Sequence, residues 1–130
     1  GIVFFVSENG DTALVCGMHN ASSFSDWETA KSRCENSFGI QDGKLLRGWR
    51  MPTLREMKII RTNRDILNKF IDERGGTALE SDVGSYYWTI TEGKYSSQAY
   101  LQAFGFDHAV LMNKGSNTFT SRAVKTVLVK

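Results

Sequence analysis

The sequence predicts an α+β domain with two or three helices and a small antiparallel sheet, and three observations lead to that fold class. Apolar residues at 2–6 and 12–16 flank the turn dipeptide Asn9-Gly10, which indicates a β-hairpin. Residues 25–76 show helical spacing of apolar side chains, and from Tyr86 onward the spacing is that of strands. Helices grouped apart from strands are typical of α+β folds. We expect the first and last strands to pair, which would place the termini adjacent.

Length and composition fit a single domain comprising residues 1–130. The chain is 41% apolar and 23% charged, which is ordinary globular usage. A net charge of +2 without a dense Lys/Arg cluster predicts that it binds no nucleic acid. No apolar run reaches about 18 residues, so we expect no membrane insertion. Because the chain starts inside a strand-like run, we expect either a domain excised from a longer protein or a mature chain.

The first helix is predicted from a capping box. Ser25 and Glu28 stand three residues apart, the spacing at which a side-chain oxygen and a glutamate satisfy the first amides of a helix. The apolar residues that follow lie near one face of this helix: Trp27, Ala30, Cys34 and Phe38. A loop rich in glycine and polar residues is expected at residues 39–48.

The only proline of the chain stands just before the second predicted helix, in the segment GWRMPT at residues 48–53. Proline pushes the preceding residue into an extended conformation and cannot donate a backbone hydrogen bond. Thr53 and Glu56 form another capping box at the start of this helix. A break is predicted at Thr62-Asn63, and the helical pattern ends at Gly75-Gly76.

Trp49 and Arg50 precede the proline and are expected to be mostly buried. The arginine stem can lie along apolar surface while its guanidinium seeks oxygen acceptors. We therefore predict that Arg50 bonds to backbone carbonyls or to a carboxylate such as Glu92.

Four strands are predicted in the second half of the chain, at residues 86–90, 100–106, 109–112 and 119–129. Tyr100, Gln102, Phe104 and Phe106 alternate along one of them, and Phe104 is expected in the core. Asp107 and Lys114 are the only charged residues between 95 and 120, where Tyr, Phe, Ser, Gln, Asn and Gly dominate. Such mixtures are favoured in binding loops because tyrosine offers rigid contact area and the small polar residues adapt. Display of ligand contacts and plain sheet packing both remain open for this segment.

No catalytic residue, metal site or cofactor is predicted. His19 and His108 lack a recognisable nucleophile or orienting partner, and no motif for a phosphate loop or a metal site occurs. Two cysteines and two histidines make a zinc site improbable. Cys16 and Cys34 allow one disulfide at most, and buried free thiols are the favoured alternative.

Four landmarks together resemble one family. They are WETA with Cys34, GWRMPT with Glu56, YWTITE at residues 87–92, and SRAV at residues 121–124. Their order is similar to that of bacterial C-type-lectin-like domains with the sulfatase-modifying-factor fold, including the Fibrobacter paralogous-domain type of Bacteroidetes surface proteins. The resemblance implies a structural role for seven residues: Trp27, Trp49, Arg50, Pro52, Trp88, Glu92 and Arg122.

The resemblance also implies a function. It predicts a non-catalytic, extracytoplasmic module of a bacterial cell-surface protein that binds a protein or glycan ligand through its C-terminal strands and loops. The ending is similar to that of the variable proteins of diversity-generating retroelements, in which the ligand-binding positions would be Tyr95, Gln98, Tyr100, Phe106, His108 and Asn113. The alternative is a structural module of a fimbria or another cell-surface assembly.

Departures from the family narrow this expectation. The Glu-Pro-Asn and Trp-Asn-Asp motifs of calcium-dependent sugar binding are absent, so we expect binding to be calcium-independent. The chain has no cysteine after Cys34, whereas formylglycine-generating members need reactive cysteines late in the domain. The oxidase activity is therefore not expected.

Overall fold

A computed structural model describes residues 1–36, 40–41, 44–45 and 48–129. Within these residues the fold is α+β, as predicted, with three helices and nine strands. The helices are α1 (Trp27–Asn36), α2 (Leu54–Thr62) and α3 (Arg64–Glu73). The strands are β1 (Ile2–Val6), β2 (Thr12–Ser25), β3 (Ile40–Gln41), β4 (Lys44–Leu45), β5 (Trp49–Arg50), β6 (Tyr86–Glu92), β7 (Gln98–Ala103), β8 (Ala109–Asn113) and β9 (Phe119–Leu128).

The main sheet has seven strands and is open and mixed, so the expectation of a small, purely antiparallel sheet was wrong. The strand order is β1-β2-β9-β6-β7-β8, and β5 also pairs with β9. β6, β7 and β8 form an antiparallel meander, but β9 pairs with β6 in parallel at Tyr87 and Thr120. β9 is parallel to β6 because the connection after β8 brings the chain back beside β6, and β9 then runs in the same direction as β6.

The first and last strands are not partners, which corrects the predicted pairing. β2 lies between them and is antiparallel to both. Ile2 is opposite Cys16 of β2, whereas Leu128 is opposite Thr12. The two termini therefore lie at opposite ends of these strands, about 13 Å apart along the strand direction.

The N-terminal hairpin is confirmed, but its second strand is longer than expected. Gly10 has a φ of +74° in the turn between β1 and β2. β2 continues past Cys16 to Ser25, and its register with β9 shifts at three points along this extension. Bulges of this kind insert extra residues into one strand and redirect side chains, so residues 17–25 lack the alternation that predicts a strand.

The helix ends agree with the sequence except at α1. Thr53 and Glu56 form the predicted capping box at the start of α2, and α2 and α3 meet at Asn63. Gly75 follows α3 with a φ of +74°. At α1 the cap is Asp26, whose carboxylate accepts from the Thr29 amide at 2.9 Å, rather than Ser25. Phe38 and half of the expected 39–48 loop lie outside the described residues. In the described half, β3 and β4 pair with each other.

Two buried clusters lie on opposite faces of the sheet, since successive strand residues point to opposite sides. Tyr87 and Val124 pack with α2 and α3 on one face. Trp88 and Ala123 pack with α1 on the other. Cys16 and Cys34 are buried free thiols, one in each cluster, which settles the disulfide alternative. Burial raises the pKa of the Cys34 thiol to about 12.

The segment before α2 is a structural joint in which Arg50 bonds to a carboxylate, as predicted, but to Glu56 rather than to Glu92. The Arg50 guanidinium donates to both carboxylate oxygens of Glu56 at 2.7 and 2.8 Å, and its side chain is 37% exposed rather than mostly buried. Trp49 is half-buried, whereas Pro52 and Met51 are buried. Glu92 instead accepts from Lys114 at 3.0 Å. Arg50 bonds to Glu56 rather than to Glu92 because the capping box holds the Glu56 carboxylate beside the joint.

Candidate ligand-binding groove

The six ligand-binding residues predicted from the sequence are distributed along the β7–β8 hairpin. Gln98 and Asn113 pair with each other at one end, near the turn that contains Tyr95. Phe106 and His108 lie in the turn at the other end, beyond a strand that spans about 17 Å. Tyr100 is half-buried between them. The hairpin therefore does not gather the six side chains at one point.

Several of these six side chains are engaged within the protein. The rings of Phe106 and His108 stack at 5.3 Å, and the Lys94 ammonium lies 5.6 Å from the Tyr95 ring centroid. Asn113 Oδ1 accepts from the amides of Gly115 and Ser116 and so shapes the loop after β8. The predicted strand at 100–106 ends at Ala103, so Phe106 is not on the strand face, while Gln102 and Phe104 are fully buried.

A different feature combines exposed aromatic and charged side chains. An open groove of about 370 Å³ lies beside the bulged end of β2 and the starts of β6 and β9. We call it the Phe24 groove. Its lining residues are Phe24, Glu80, Asp82, Gly84, Ser85, Tyr86, Phe119 and Thr120.

Phe24 forms one wall and is held in an unusual conformation. Its side chain is 76% exposed, and its φ of +49° is the only positive value of a non-glycine residue in the described chain. A bulky side chain is rarely found in this region because its Cβ approaches the following carbonyl. The conformation coincides with the register shift between Ser22 and Ser25 of β2. The bulge therefore turns the ring outward.

The residues on either side of Phe24 are fixed by hydrogen bonds. The hydroxyls of Ser22 and Ser121 lie 2.6 Å apart, and the Ser25 hydroxyl donates to Ser22 at 2.8 Å. The Trp88 indole donates to the Ser25 carbonyl at 2.9 Å. Strained backbone persists where surrounding contacts over-determine it. These bonds hold the backbone on both sides of Phe24, whose own side chain is mostly exposed.

Residues 77–85 form the acidic wall, and this loop is anchored at several points. The Asn68 side chain bonds to both the amide and the carbonyl of Leu79, which is buried. The Tyr87 hydroxyl bonds to the Glu80 amide at 3.1 Å. A Cβ at Gly105 would lie only 2.5 Å from the Asp82 carbonyl, so the turn after β7 packs directly against the loop. The carboxylates of this wall are thus presented by fixed backbone.

Arg122 connects the two walls. It is fully buried, and its guanidinium donates to the Gly17 carbonyl and to Asn20 Oδ1 at 2.9 Å, both in the bulged part of β2. A third bond goes to the Thr77 carbonyl at the start of the loop. Its burial and these three bonds are what a structural role for Arg122 would require. It fixes β2 relative to the acidic loop.

The aromatic floor of the groove is also rigid. Tyr86 and Phe119 are half-buried, and their rings meet edge to face at 6.0 Å. Phe119 packs in turn against the buried Trp88 ring at 5.4 Å. Edge-to-face pairs of this kind orient rings and add to the stability from burial. The groove therefore offers two aromatic rings, Tyr86 and Phe119, that ring packing holds in place, and the Phe24 ring on a backbone that hydrogen bonds hold in place.

The charge of the groove is negative although the whole chain carries +2. Glu80 and Asp82 are exposed and form no ion pair within the described residues. No lysine, arginine or histidine is among the lining residues. Aromatic rings, carboxylates and the Ser85 and Thr120 hydroxyls can bind a ligand by stacking, charge attraction and hydrogen bonding.

Two isolated apolar residues in polar runs are weak sequence signals for exposed surface at or next to the groove segments. Phe24 stands alone among serines, in SSFS, and Val83 stands within the polar run ESDVGS. Both side chains are more than two-thirds exposed, at 76% and 72%. An isolated apolar residue in a polar run reads as a surface position. Only the fold shows that Phe24 and the acidic loop line one groove.

In the part of the chain that the structure describes, no group of three or more His, Cys, Asp or Glu side chains is placed to hold a metal ion. None of the described helices is long and apolar enough to cross a membrane. No protein-family model matches the chain, and no curated protein matches its sequence.

Proposed function

We propose that the chain is a non-catalytic binding module of a bacterial cell-surface protein, with a C-type-lectin-like fold, that holds its protein or glycan ligand in the Phe24 groove. The observation that carries this proposal is the conformation of Phe24. A residue at positive φ costs about 1–3 kcal/mol. The ring gains little from packing in return, because Phe24 is 76% exposed.

The surroundings of Phe24 support binding rather than catalysis. The groove is open and its walls are fixed by hydrogen bonds, as in sites where a rigid scaffold presents contact residues. Preformed aromatic surfaces reduce the entropy lost on binding. The α+β arrangement of helices and sheet supports the C-type-lectin-like part of the proposal, whereas the mixed seven-stranded sheet and the separated termini depart from what the resemblance implies.

The proposal is tested with two arrays and two phenylalanine variants. The labelled chain is applied to immobilised glycans and to synthetic peptides, and affinities for the strongest ligands are measured by calorimetry. We expect Phe24→Ala to weaken binding by about tenfold or more, the effect of losing a central aromatic contact. Phe106→Ala is the matched control, since Phe106 is also exposed, at 40%, but lies in the β7–β8 turn.

The outcomes separate the groove from the hairpin surface. Unchanged affinity in Phe24→Ala would remove the groove from the proposal. If Phe106→Ala and Tyr95→Ala weaken binding instead, the ligand occupies the residues predicted from the sequence. A chain that binds no member of either array would count against a binding module of any kind.

A second candidate, a structural module of a surface assembly, is favoured by the edge strand β1. Its outer edge has no strand partner in the described sheet, and Val3, Phe5 and Val6 are 52%, 37% and 52% exposed. Long apolar edges are templates for pairing with another chain. Sedimentation velocity over a hundredfold range of concentration tests this function. This function would be contradicted if the wild type sedimented as a monomer over the whole range and the Val3→Lys variant sedimented in the same way.

A further inference from the structure

We propose that the Phe24 groove recognises the cationic side chain of an arginine or lysine on a protein partner. This inference rests on the proposed binding function and specifies its ligand. It follows from three observations: the chemistry of the lining residues, an arrangement of the same kind elsewhere in the chain, and the way in which the other exposed aromatic rings are covered.

The lining residues are complementary to a cation with an apolar stem. The faces of Phe24, Tyr86 and Phe119 carry negative quadrupole charge and attract ammonium and guanidinium groups. Glu80 and Asp82 add formal negative charge, and no internal cation neutralises it within the described residues. The aliphatic stem of a lysine or arginine can contact apolar surface while its charged head meets the carboxylates.

The protein already contains this combination in a completed form. The Lys114 ammonium lies 3.8 Å from the Trp27 ring centroid and 3.0 Å from Glu92 Oε2. An aromatic ring, a carboxylate and a lysine thus form one cluster, and the lysine side chain is only 13% exposed. The Phe24 groove has the ring and the carboxylates, but its lining residues include no cation. A basic side chain from a partner would complete it.

Most other exposed aromatic rings have an internal partner. Arg74 lies over Phe70 and Lys94 over Tyr95, each at 5.6 Å from the ring centroid, and Phe106 stacks on His108. Phe5 is partly exposed, but the surface depression beside it includes Arg55. Phe24 is the most exposed of these rings, and no cation of the described chain lies over it.

Charge selects a basic partner over a neutral or acidic one. An acidic peptide or a phosphate would meet repulsion from both carboxylates of the groove. A neutral sugar could stack on the rings, but it would leave the two carboxylates without a charged partner. An arginine or lysine side chain uses both features, because its stem can contact the aromatic rings of the groove while its charged head meets the carboxylates.

The test is an NMR titration of the ¹⁵N-labelled full chain with three small probes of similar size. N-acetyl-arginine methylamide and N-acetyl-lysine methylamide carry the charge, and N-acetyl-glutamine methylamide is the neutral reference. We expect saturable shifts of the Gly84, Ser85 and Tyr86 amides with the two cationic probes. The apparent affinity should fall by about threefold or more as sodium chloride rises from 50 to 500 mM, because exposed charges are screened.

Variants identify the groups responsible. In the double variant Glu80→Gln/Asp82→Asn, we expect binding of the arginine probe to weaken by about tenfold. This is the loss expected when two exposed ion pairs with the probe are removed and the aromatic rings remain. Glu8→Gln/Glu73→Gln is the matched control. It removes the same charge from two exposed glutamates that do not line the groove, and it should bind as the wild type does.

Each outcome bears on the inference. Equal shifts with the glutamine probe, no shifts with any probe, or unchanged binding in the double groove variant would overturn recognition of a cation. In those cases, the groove would still be a binding site for a neutral ligand if array ligands without arginine and lysine bind more weakly to Phe24→Ala than to the wild type. If Phe24→Ala also changes no array affinity, the proposed function itself fails.

Discussion

Two regions of this protein place carboxylates beside aromatic rings, and they differ in whether the chain completes the arrangement. At one, Lys114 lies over Trp27 and bonds to Glu92. At the other, the Phe24 groove, Glu80 and Asp82 stand beside three rings with no cation among the lining residues. The first region joins the loop after β8 to α1, and its charges contribute to folding. In the second region, the carboxylates are available to pair with a cationic group of a ligand.

This difference separates residues that determine stability from residues that determine binding. Where a polar group is satisfied inside the protein, its removal leaves partners without hydrogen bonds and destabilises the fold. Where a group faces solvent without a partner, its removal changes stability little. The comparison therefore predicts large stability losses at the internal clusters and small ones in the groove. Four substitutions test it, in order of expected effect.

The largest loss is expected for Arg122→Met. Arg122 is fully buried, and methionine would leave the Gly17 and Thr77 carbonyls and the Asn20 side chain without their donor. We expect the free energy of unfolding, measured by urea titration, to fall by about 3–5 kcal/mol. Arg122→Lys should cost less, because it keeps a charge and one donor group. The half-buried Lys125 on the same strand gives the control, Lys125→Met. A loss no larger than that of the control would contradict the role of Arg122.

The second substitution is Glu56→Gln at the joint before α2. Burial alone would raise the pKa of Glu56, but bonds from Arg50 and from the Thr53 amide outweigh it and lower that pKa. A neutral glutamine weakens both bonds, and we expect a loss of about 2 kcal/mol at pH 7. Exposed Glu28→Gln is the control, with an expected change within about 0.5 kcal/mol.

The pH dependence of stability checks the same bonds. Because the pKa of Glu56 is lower in the folded chain than in the unfolded one, the unfolded chain takes up a proton first as the pH falls. The stability from ionised Glu56 is complete above the unfolded pKa and is lost as the pH falls through the folded pKa. The difference in unfolding free energy between wild type and Glu56→Gln should therefore shrink between about pH 5 and pH 3. A constant difference over that range would show that ionisation of Glu56 does not contribute.

The third substitution compares the two aromatic–carboxylate regions directly. Lys114→Met removes the cation over Trp27 and the partner of Glu92, and we expect a loss of about 1 kcal/mol. Glu80→Gln/Asp82→Asn in the groove should change stability by less than about 0.5 kcal/mol. Both are measured by urea unfolding at the same ionic strength. An equal loss at the two regions would mean that the groove carboxylates have a structural role after all.

Whether a feature of this fold could be predicted from the sequence depends on how far apart along the chain the residues that form it lie. The β1–β2 turn and the Thr53–Glu56 capping box were predicted correctly because each is fixed by residues within five positions of one another. A carboxylate partner for Arg50 was predicted, but not which one. Glu56 lies beside Arg50 because the capping box holds it there, and Glu92 bonds to Lys114, a pairing that forms only through the tertiary fold.

The candidate site was missed for the same reason. Phe24 and the acidic loop lie together only because β2 bulges against β9 and because Arg122 bonds across to Gly17 and Thr77, 105 and 45 residues away. Spacing of residue types within a segment contains no signal for such contacts. Composition did identify the β7–β8 hairpin as polar and aromatic, but the fold spreads those side chains over both ends of the hairpin.

The fourth substitution, Phe24→Gly, is the only one of the four that is expected to raise stability. Glycine adopts positive φ without the steric cost that Phe24 bears, and an exposed ring contributes little packing. We expect the free energy of unfolding to rise by about 0.5–1 kcal/mol while ligand binding in the groove is lost. Phe106→Gly, at an exposed position without positive φ, should instead lose about 1 kcal/mol, since glycine makes the unfolded chain more flexible. If Phe24→Gly is more stable than the wild type and no longer binds the ligand, the backbone strain at Phe24 is retained for binding. If Phe24→Gly is less stable, the Phe24 ring contributes to the stability of the fold.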